Sequence, residues 1–287
     1  MKRFDIAELW MRLFLLLFAL FCIIPVYLIV INSVASERNI TMYGYSFWPH
    51  MWSLSAYRFM FGKNSTIPRS YMITIFITVV GTFFSVIITY CAGYVLSLKK
   101  MVYRNGFALY FFVTMVFNTG LVPWYIINYK LGMLNTLTAL IIPGLIFSPF
   151  NMFLVRNFCA GVPDSLSEAA DIDGANDLQT CFQVFLPLCT PVIATITLFN
   201  AIAYWNNYYN AALLLTDAAL YPLQMRLMEI QSVITMMKQI AIGVNVQPPS
   251  ESFKMAVCVI TMGPIVILYP FLQKYFVKGI LVGAIKG

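Results

Sequence analysis

Five carboxylates, Asp164, Glu168, Asp171, Asp173 and Asp177, fall in one short stretch of a chain that has only 11 acidic residues in 287. One by one they read as a helix cap and a solvated face. As a group they can accept charge-assisted hydrogen bonds from basic groups on a partner. A metal is a poor reading: the only histidine is His50, and Cys22, Cys91, Cys159, Cys181, Cys189 and Cys258 include no CxxC pair. The cysteines are expected to be free thiols acting as small hydrophobes, with no disulfide.

A second polar group lies in an otherwise apolar run. Thr190, Thr197, Asn200, Tyr204 and Asn207 are separated by 7, 3, 4 and 3 residues, which is one face of an α-helix. Amides in hydrocarbon are costly unless they face protein or water. Trp205, Tyr208 and Tyr209 add aromatic surface at one end. Two readings are open: interhelical hydrogen bonds beside an interfacial aromatic belt, or a face that lines a cavity or meets a partner. Thr114 and Asn118 form a weaker pair, read as packing. "FGKNST" at 61–66 holds Gly-Lys without the upstream glycine of a phosphate loop, so nucleotide binding is not expected on this chain.

The elements that must position these groups are set by hydropathy. Hydrophobic residues make up 61% of the chain and charged residues 10%, a membrane composition. A helix needs about 20 apolar residues to cross the hydrocarbon. Six spans are expected, at 12–34, 70–98, 107–127, 137–155, 188–210 and 255–276. The first lacks a small-residue cleavage site and reads as a retained helix. Lys2, Arg3, Arg12, Lys99, Lys100, Arg104, Arg156, Lys274, Lys278 and Lys286 all fall on one side if both termini are cytosolic. The net charge of +7 therefore reads as orientation signals, not as a nucleic-acid surface. The acidic stretch then lies in a cytosolic loop, 156–187, and the longer segments 35–69 and 211–254 face outward.

Within that loop Pro163 halts what precedes it. Ser165 and Glu168 have capping-box spacing, with Ser165 at N-cap. "EAADI" favours a helix, Gly174 breaks it, and "ANDLQTCFQVF" can form a second helix.

The spacing over 168–187 is E-A-A, three residues, G, nine residues, V, one residue, L-P. It resembles the EAA loop of ATP-binding-cassette importer permeases, with Val184 in place of isoleucine. Asp173 and Ala175 extend the match to the "DGA" form of the carbohydrate uptake type 1 (maltose-type) permeases. "WNNYYNAALLL" (205–215) is similar to a further family segment, except that Ala212 replaces a proline. "YPLQMRL" (221–227), "FLQKYFVKGILVGAIKG" (271–287) and "GYSFWP" (44–49) resemble others, the last in the subgroup of alginate-type and lipoprotein-associated permeases. Ile73 departs from the pattern, where many relatives carry asparagine.

The resemblance implies an all-α polytopic fold of six transmembrane helices, one permease domain over 1–287 in a bacterial cytoplasmic membrane. It implies a coupling helix in which Glu168, Ala169, Ala170, Asp173, Gly174, Ala175 and Asp177 dock an ATPase subunit. It also implies a second homologous permease, two ATPase subunits, an extracellular solute-binding protein and an oligosaccharide substrate, with no cofactor and no catalysis on this chain. Asn200, Tyr204, Trp205, Asn207 and Tyr208 are the expected sugar contacts. Peptide, amino-acid or polyamine import is the alternative within the class. A secondary transporter fits less well, because the expected spans hold no acidic residue in their interiors. Nothing resembles a selectivity filter, and no nucleophile–base pair is readable.

Overall fold

A computed structural model of the chain describes residues 6–62, 65–117, 119–240 and 251–266. Among these residues the fold is all-α, apart from an isolated bridge between Ala35 and Trp52. The first helices are α1 (Ile6–Ser33), α2 (Glu37–Tyr43), α3 (Ser55–Phe61), α4 (Ile67–Ser97), α5 (Arg104–Val116) and α6 (Leu121–Lys130). Then come α7 (Thr138–Ile141), α8 (Pro149–Ala160), α9 (Asp164–Ile172) and α10 (Asp177–Gln179). A π-helix over Thr180–Phe185 leads into α11 (Leu186–Leu188), α12 (Thr190–Trp205), α13 (Tyr209–Leu214) and α14 (Leu223–Ile240). A further helix covers 251–266.

Two of these helices are long and apolar enough to cross a bilayer, α1 and α4, and the number rises to four if each of two bent pairs is one span. The expected spans at 12–34 and 70–98 thus stand as single helices. The third, 107–127, is bent by 111° between α5 and α6, and the fifth is approached through an 84° bend at Cys189. The fourth, 137–155, is not continuous: α7 stops before Pro143 and Gly144, and α8 starts afresh with Pro149 at its first turn. Proline fits there because the first-turn N–H has no helical partner, and the Ser148 side chain accepts from Asn151 N. The sixth lies partly outside the described residues, as does position 118.

The chain divides into two compact units. One comprises Met1–Pro68 and Leu227–Pro264. In it, the Glu37 carboxylate accepts from the backbone N–H groups of Glu251 and Ser252 and from Ser252 Oγ, joining α2 to the start of the 251–266 helix. Tyr45 Oη donates to Glu251 Oε2 at 2.9 Å. Burial, and then that carboxylate, push the phenol up to about 12.

The other unit comprises Arg69–Arg226 and Ile265–Gly287. Among the described residues its core includes two clusters. One gathers Tyr90 and Tyr94 of α4, Val155 and Cys159 of α8, Cys181 and Phe185 of the π-helix, and Val192 and Ile196 of α12. The other gathers Ile77 of α4, Leu140 of α7, and Ala211 and Leu215. Close approach is set by small residues, as in membrane bundles generally. A Cβ on Gly93 would lie 2.7 Å from the Val155 Cβ, and one on Gly81 would lie 2.5 Å from the Tyr204 ring.

Candidate functional site

The acidic loop is a knob of two short helices. Its turn has a specific cause. Gly174 stands at φ +75°, its N–H donates to Asp171 O at 3.1 Å, and Ala175 N–H donates to Ala170 O at 2.9 Å. That pair of bonds is the Schellman closure of a helix, and it needs a residue that accepts the left-handed region. A Cβ on Gly174 would meet nothing within 4 Å, so the demand is conformational and the tip is open. Ala170 is buried beneath the turn, while Ala169 is exposed and Ala175 half-buried.

The expected cap at Ser165 is not formed. Pro163, at φ −59°, occupies the N-cap position, so α9 begins at Asp164 and Glu168 falls two positions beyond the one from which a capping-box side chain reaches back. A capping box closes the second helix instead: Asn176 Oδ1 accepts from Gln179 N at 2.8 Å, and Gln179 Oε1 accepts from Asn176 N at 2.9 Å. The second helix expected over this stretch forms, with π geometry over Thr180–Phe185. Tyr90 Oη of α4 donates to the Cys181 carbonyl within it at 2.7 Å, fixing the root of the knob to the bundle.

Two of the five acids already have partners in the chain. Lys99 Nζ lies 2.5 Å from Asp164 Oδ2, and Lys100 Nζ lies 2.7 Å from Asp177 Oδ1. The hydrogen bond to Asp177 raises the Lys100 pKa. All four side chains are exposed, and such pairs contribute at most about 1 kcal/mol, so a docking partner can displace them. Glu168, Asp171 and Asp173 make no ion pair among the described residues. Beside them stand two large apolar side chains, Ile172 at 86% and Leu178 at 70% exposure. The sequence reading passed over these two; their signal was a bulky aliphatic on each side of an acidic turn.

The polar stripe of α12 is largely buried inside the subunit. Asn200 Oδ1 accepts from Asn151 Nδ2 of α8 at 3.2 Å. Tyr204 Oη donates to Ile141 O at 2.8 Å, and Asn207 Nδ2 donates to Leu140 O at 3.2 Å. Trp205 is buried edge-on against Tyr71, with ring centroids 5.8 Å apart. Tyr208 is exposed. α12 ends at Trp205, so Asn207 lies beyond the helix rather than on its face. Asn207 reaches a cavity of about 330 Å³ that the stripe alone did not reveal. Three chain breaks meet there: Thr119–Leu121 before α6, Pro143–Leu145 after α7, and Asn207–Asn210 after α12. Trp124 and Tyr209 add aromatic walls, and Asn210 Nδ2 donates to Pro143 O at 3.1 Å. Gly120, Pro143 and Gly144 were the sequence signals for this convergence, since irregular backbone at membrane depth occurs where it lines a cavity or is buried in protein.

Ile73, where a polar residue was expected, packs on the Ile77–Leu140 cluster. Its neighbour Thr74 takes the polar role, accepting from Leu223 N at 2.7 Å. Ala212 donates its N–H to Tyr208 O at 2.8 Å, a bond that proline would lack.

Residues 101–282 match the family described as binding-protein-dependent transport system inner membrane component. The chain is 38% identical over 276 residues to the polygalacturonan/rhamnogalacturonan transport system permease protein YtcP of Bacillus subtilis (strain 168), covering 96% of each. It is 38% identical over 267 residues to protein LplC of the same organism, covering 92% of this chain and 90% of LplC. Among solved structures it is similar to a chain of a bacterial ABC transporter involved in the import of the acidic polysaccharide alginate. There the TM-score is 0.82 and the identity 33%, with 96% of this chain and 99% of that chain covered.

Proposed function

Because the chain belongs to the binding-protein-dependent transport system inner membrane components, we propose that it lines half of the pathway of an ATP-driven oligosaccharide importer and receives the power stroke through its acidic knob. It is a membrane permease subunit, not an enzyme. ATP hydrolysis falls to separate subunits, two in number, and the other half of the pathway to a second permease. An extracytoplasmic binding protein delivers the sugar to the outward segments 35–69 and 211–254. Both termini face the cytosol in this reading, in line with the side on which the basic residues gather.

Oligosaccharides of acidic sugars are the proposed substrates. YtcP carries polygalacturonan in its name and the similar solved transporter imports alginate; both polymers are polyuronates. The cavity at the three chain breaks is where sugar meets this subunit: Asn207 and Asn210 offer amides, Trp124 and Tyr209 offer aromatic faces, and exposed Tyr208 stands beside them in sequence. Asn200, Tyr204 and Trp205 hold that cavity in place from within the bundle.

One observation carries the docking role. The knob ends in a left-handed glycine turn beside which a Cβ would meet nothing, and it presents Ile172 and Leu178 to solvent among carboxylates that are unpaired within the described residues (Glu168, Asp171, Asp173) or held by exposed pairs (Asp164, Asp177). A surface of that kind is explained by a partner with an apolar groove and basic rim. Valine at position 174 costs about 1–2 kcal/mol in the left-handed region, whereas asparagine visits it readily. Gly174→Val is therefore expected to insert in the membrane but lose the ATPase on purification, and Gly174→Asn to keep it. Retention of the ATPase and of full uptake by Gly174→Val would refute the assignment.

A further inference from the structure

The segment between α2 and α3 folds back along α1 instead of extending from it. At its base, Ser36 N donates to Met51 O and Ser53 N donates to Val34 O, at 2.9 and 2.8 Å. Nearer its tip, buried Asn32 of α1 bonds both ways with Ser46: its Nδ2 donates to Ser46 O at 3.0 Å, and its Oδ1 accepts from Ser46 N at 3.2 Å. Deeper still, Tyr27 Oη donates to Phe47 O at 3.0 Å, and the two rings stack at 6.4 Å. Tyr27 lies six residues before the end of α1, roughly 9 Å down the helix.

That depth matters. The apolar stretch Leu9–Ser33 has 25 residues, and among the described residues none of its most apolar window is buried. It is roughly 37 Å long against about 30 Å of hydrocarbon, which leaves only a few ångströms to spare at each end. Tyr27 and the Phe47 carbonyl bonded to it therefore stand near the hydrocarbon boundary, not in bulk water. At this level the hairpin exposes Phe47 at 60% and Trp48 at 68%, and Trp52 stands edge-on to Trp48 at 5.4 Å. From 39 to 57 no residue is Asp, Glu, Lys or Arg, and exposed Arg38 and Arg58 flank that run. Amphipathic aromatic rings concentrate at headgroup depth, and cations beside them suit lipid phosphates.

We propose that this hairpin is a bilayer anchor, in which Phe47, Trp48 and Trp52 enter the headgroup region of the leaflet where α1 ends while Arg38 and Arg58 meet phosphates. The occupant of the aromatic face is phospholipid, not the second permease, and the binding protein is left the other faces of segment 35–69. The anchor holds α2 and α3 flat on the membrane, independently of what the permease carries.

The test uses the full chain in phosphatidylcholine–phosphatidylglycerol vesicles, with and without Trp48→Phe and Trp52→Phe together. Lipids brominated near the glycerol end quench indoles within the bilayer, and iodide quenches those in water. The parent is expected to show a lipid-quenched emission component that the double variant loses, with iodide acting equally on both. A component at these positions that responds to iodide and not to brominated lipid overturns the anchor. A second measurement does not depend on the double variant inserting. p-Benzoylphenylalanine placed at position 48 and irradiated in native membranes is expected to form lipid adducts; adducts to another polypeptide in their place reject the proposal.

Discussion

Asn200 has a buried amide whose Nδ2 finds no partner among the described residues, while its Oδ1 is taken by Asn151. An unsatisfied buried donor costs about 1–3 kcal/mol, and removing one member of a pair transfers that penalty to the other, whereas removing both is nearly neutral. Asn200→Leu is thus expected to lower the thermal midpoint of the purified permease, and the double variant Asn151→Leu with Asn200→Leu to recover most of the loss. Failure of the double variant to recover would mean that the amides face water or sugar rather than each other. Asn207 and Asn210 predict the opposite pattern, since they border the cavity. Asn210→Leu should reduce uptake while leaving the melting curve within about 1 kcal/mol of the parent, the net worth of one hydrogen bond.

Helix α4 organises its unit through what it lacks. Gly93 lets α8 approach until a Cβ would sit 2.9 Å from the Met152 carbonyl and 2.7 Å from Val155. Backbone cannot give way as a side chain can, so Gly93→Ala is expected to destabilise the bundle by about 1–3 kcal/mol, the usual cost of overpacking. Tightening of α4 on α8 with no loss of thermal stability would contradict this. Elements such as α1 and α4 were legible in the sequence because an unbroken apolar run admits only a helix in lipid. The interruption between α7 and α8 was less so: hydropathy continues across Pro143, Gly144 and Pro149, and only their backbone preferences mark the break. The knob's turn at Gly174 was readable, since glycine between two helix-forming stretches favours a left-handed closure. Its cap was misplaced because Pro163 itself takes the N-cap position, and Asn176–Gln179 carries the signature that Ser165–Glu168 only mimics. Burial of the α12 stripe could not be read from spacing, which gives a common face but not what the face meets.

At the scale of the whole molecule, α4 contributes to both core clusters, the one at the root of the acidic knob and the one beside the cavity at three helix breaks. Tyr90, Val155, Cys181 and Ile196 pack α4, α8, the π-helix and α12 together, which gives displacement at the knob a contiguous packed route to α12. The separation of force from cargo follows: substitutions at the knob should abolish transport of every sugar alike, and substitutions at the cavity should alter the ranking among sugars. The most direct measurement is ATP hydrolysis together with uptake of oligogalacturonate in vesicles holding the complete importer, parent against Gly174→Val, with neutral maltooligosaccharide as the comparison sugar. The account predicts ATP-dependent uptake of the acidic sugar by the parent, little uptake of the neutral one, and loss of both uptake and sugar-stimulated hydrolysis in Gly174→Val. Uptake by the parent that proceeds without ATP, or unimpaired coupling in Gly174→Val, would contradict it.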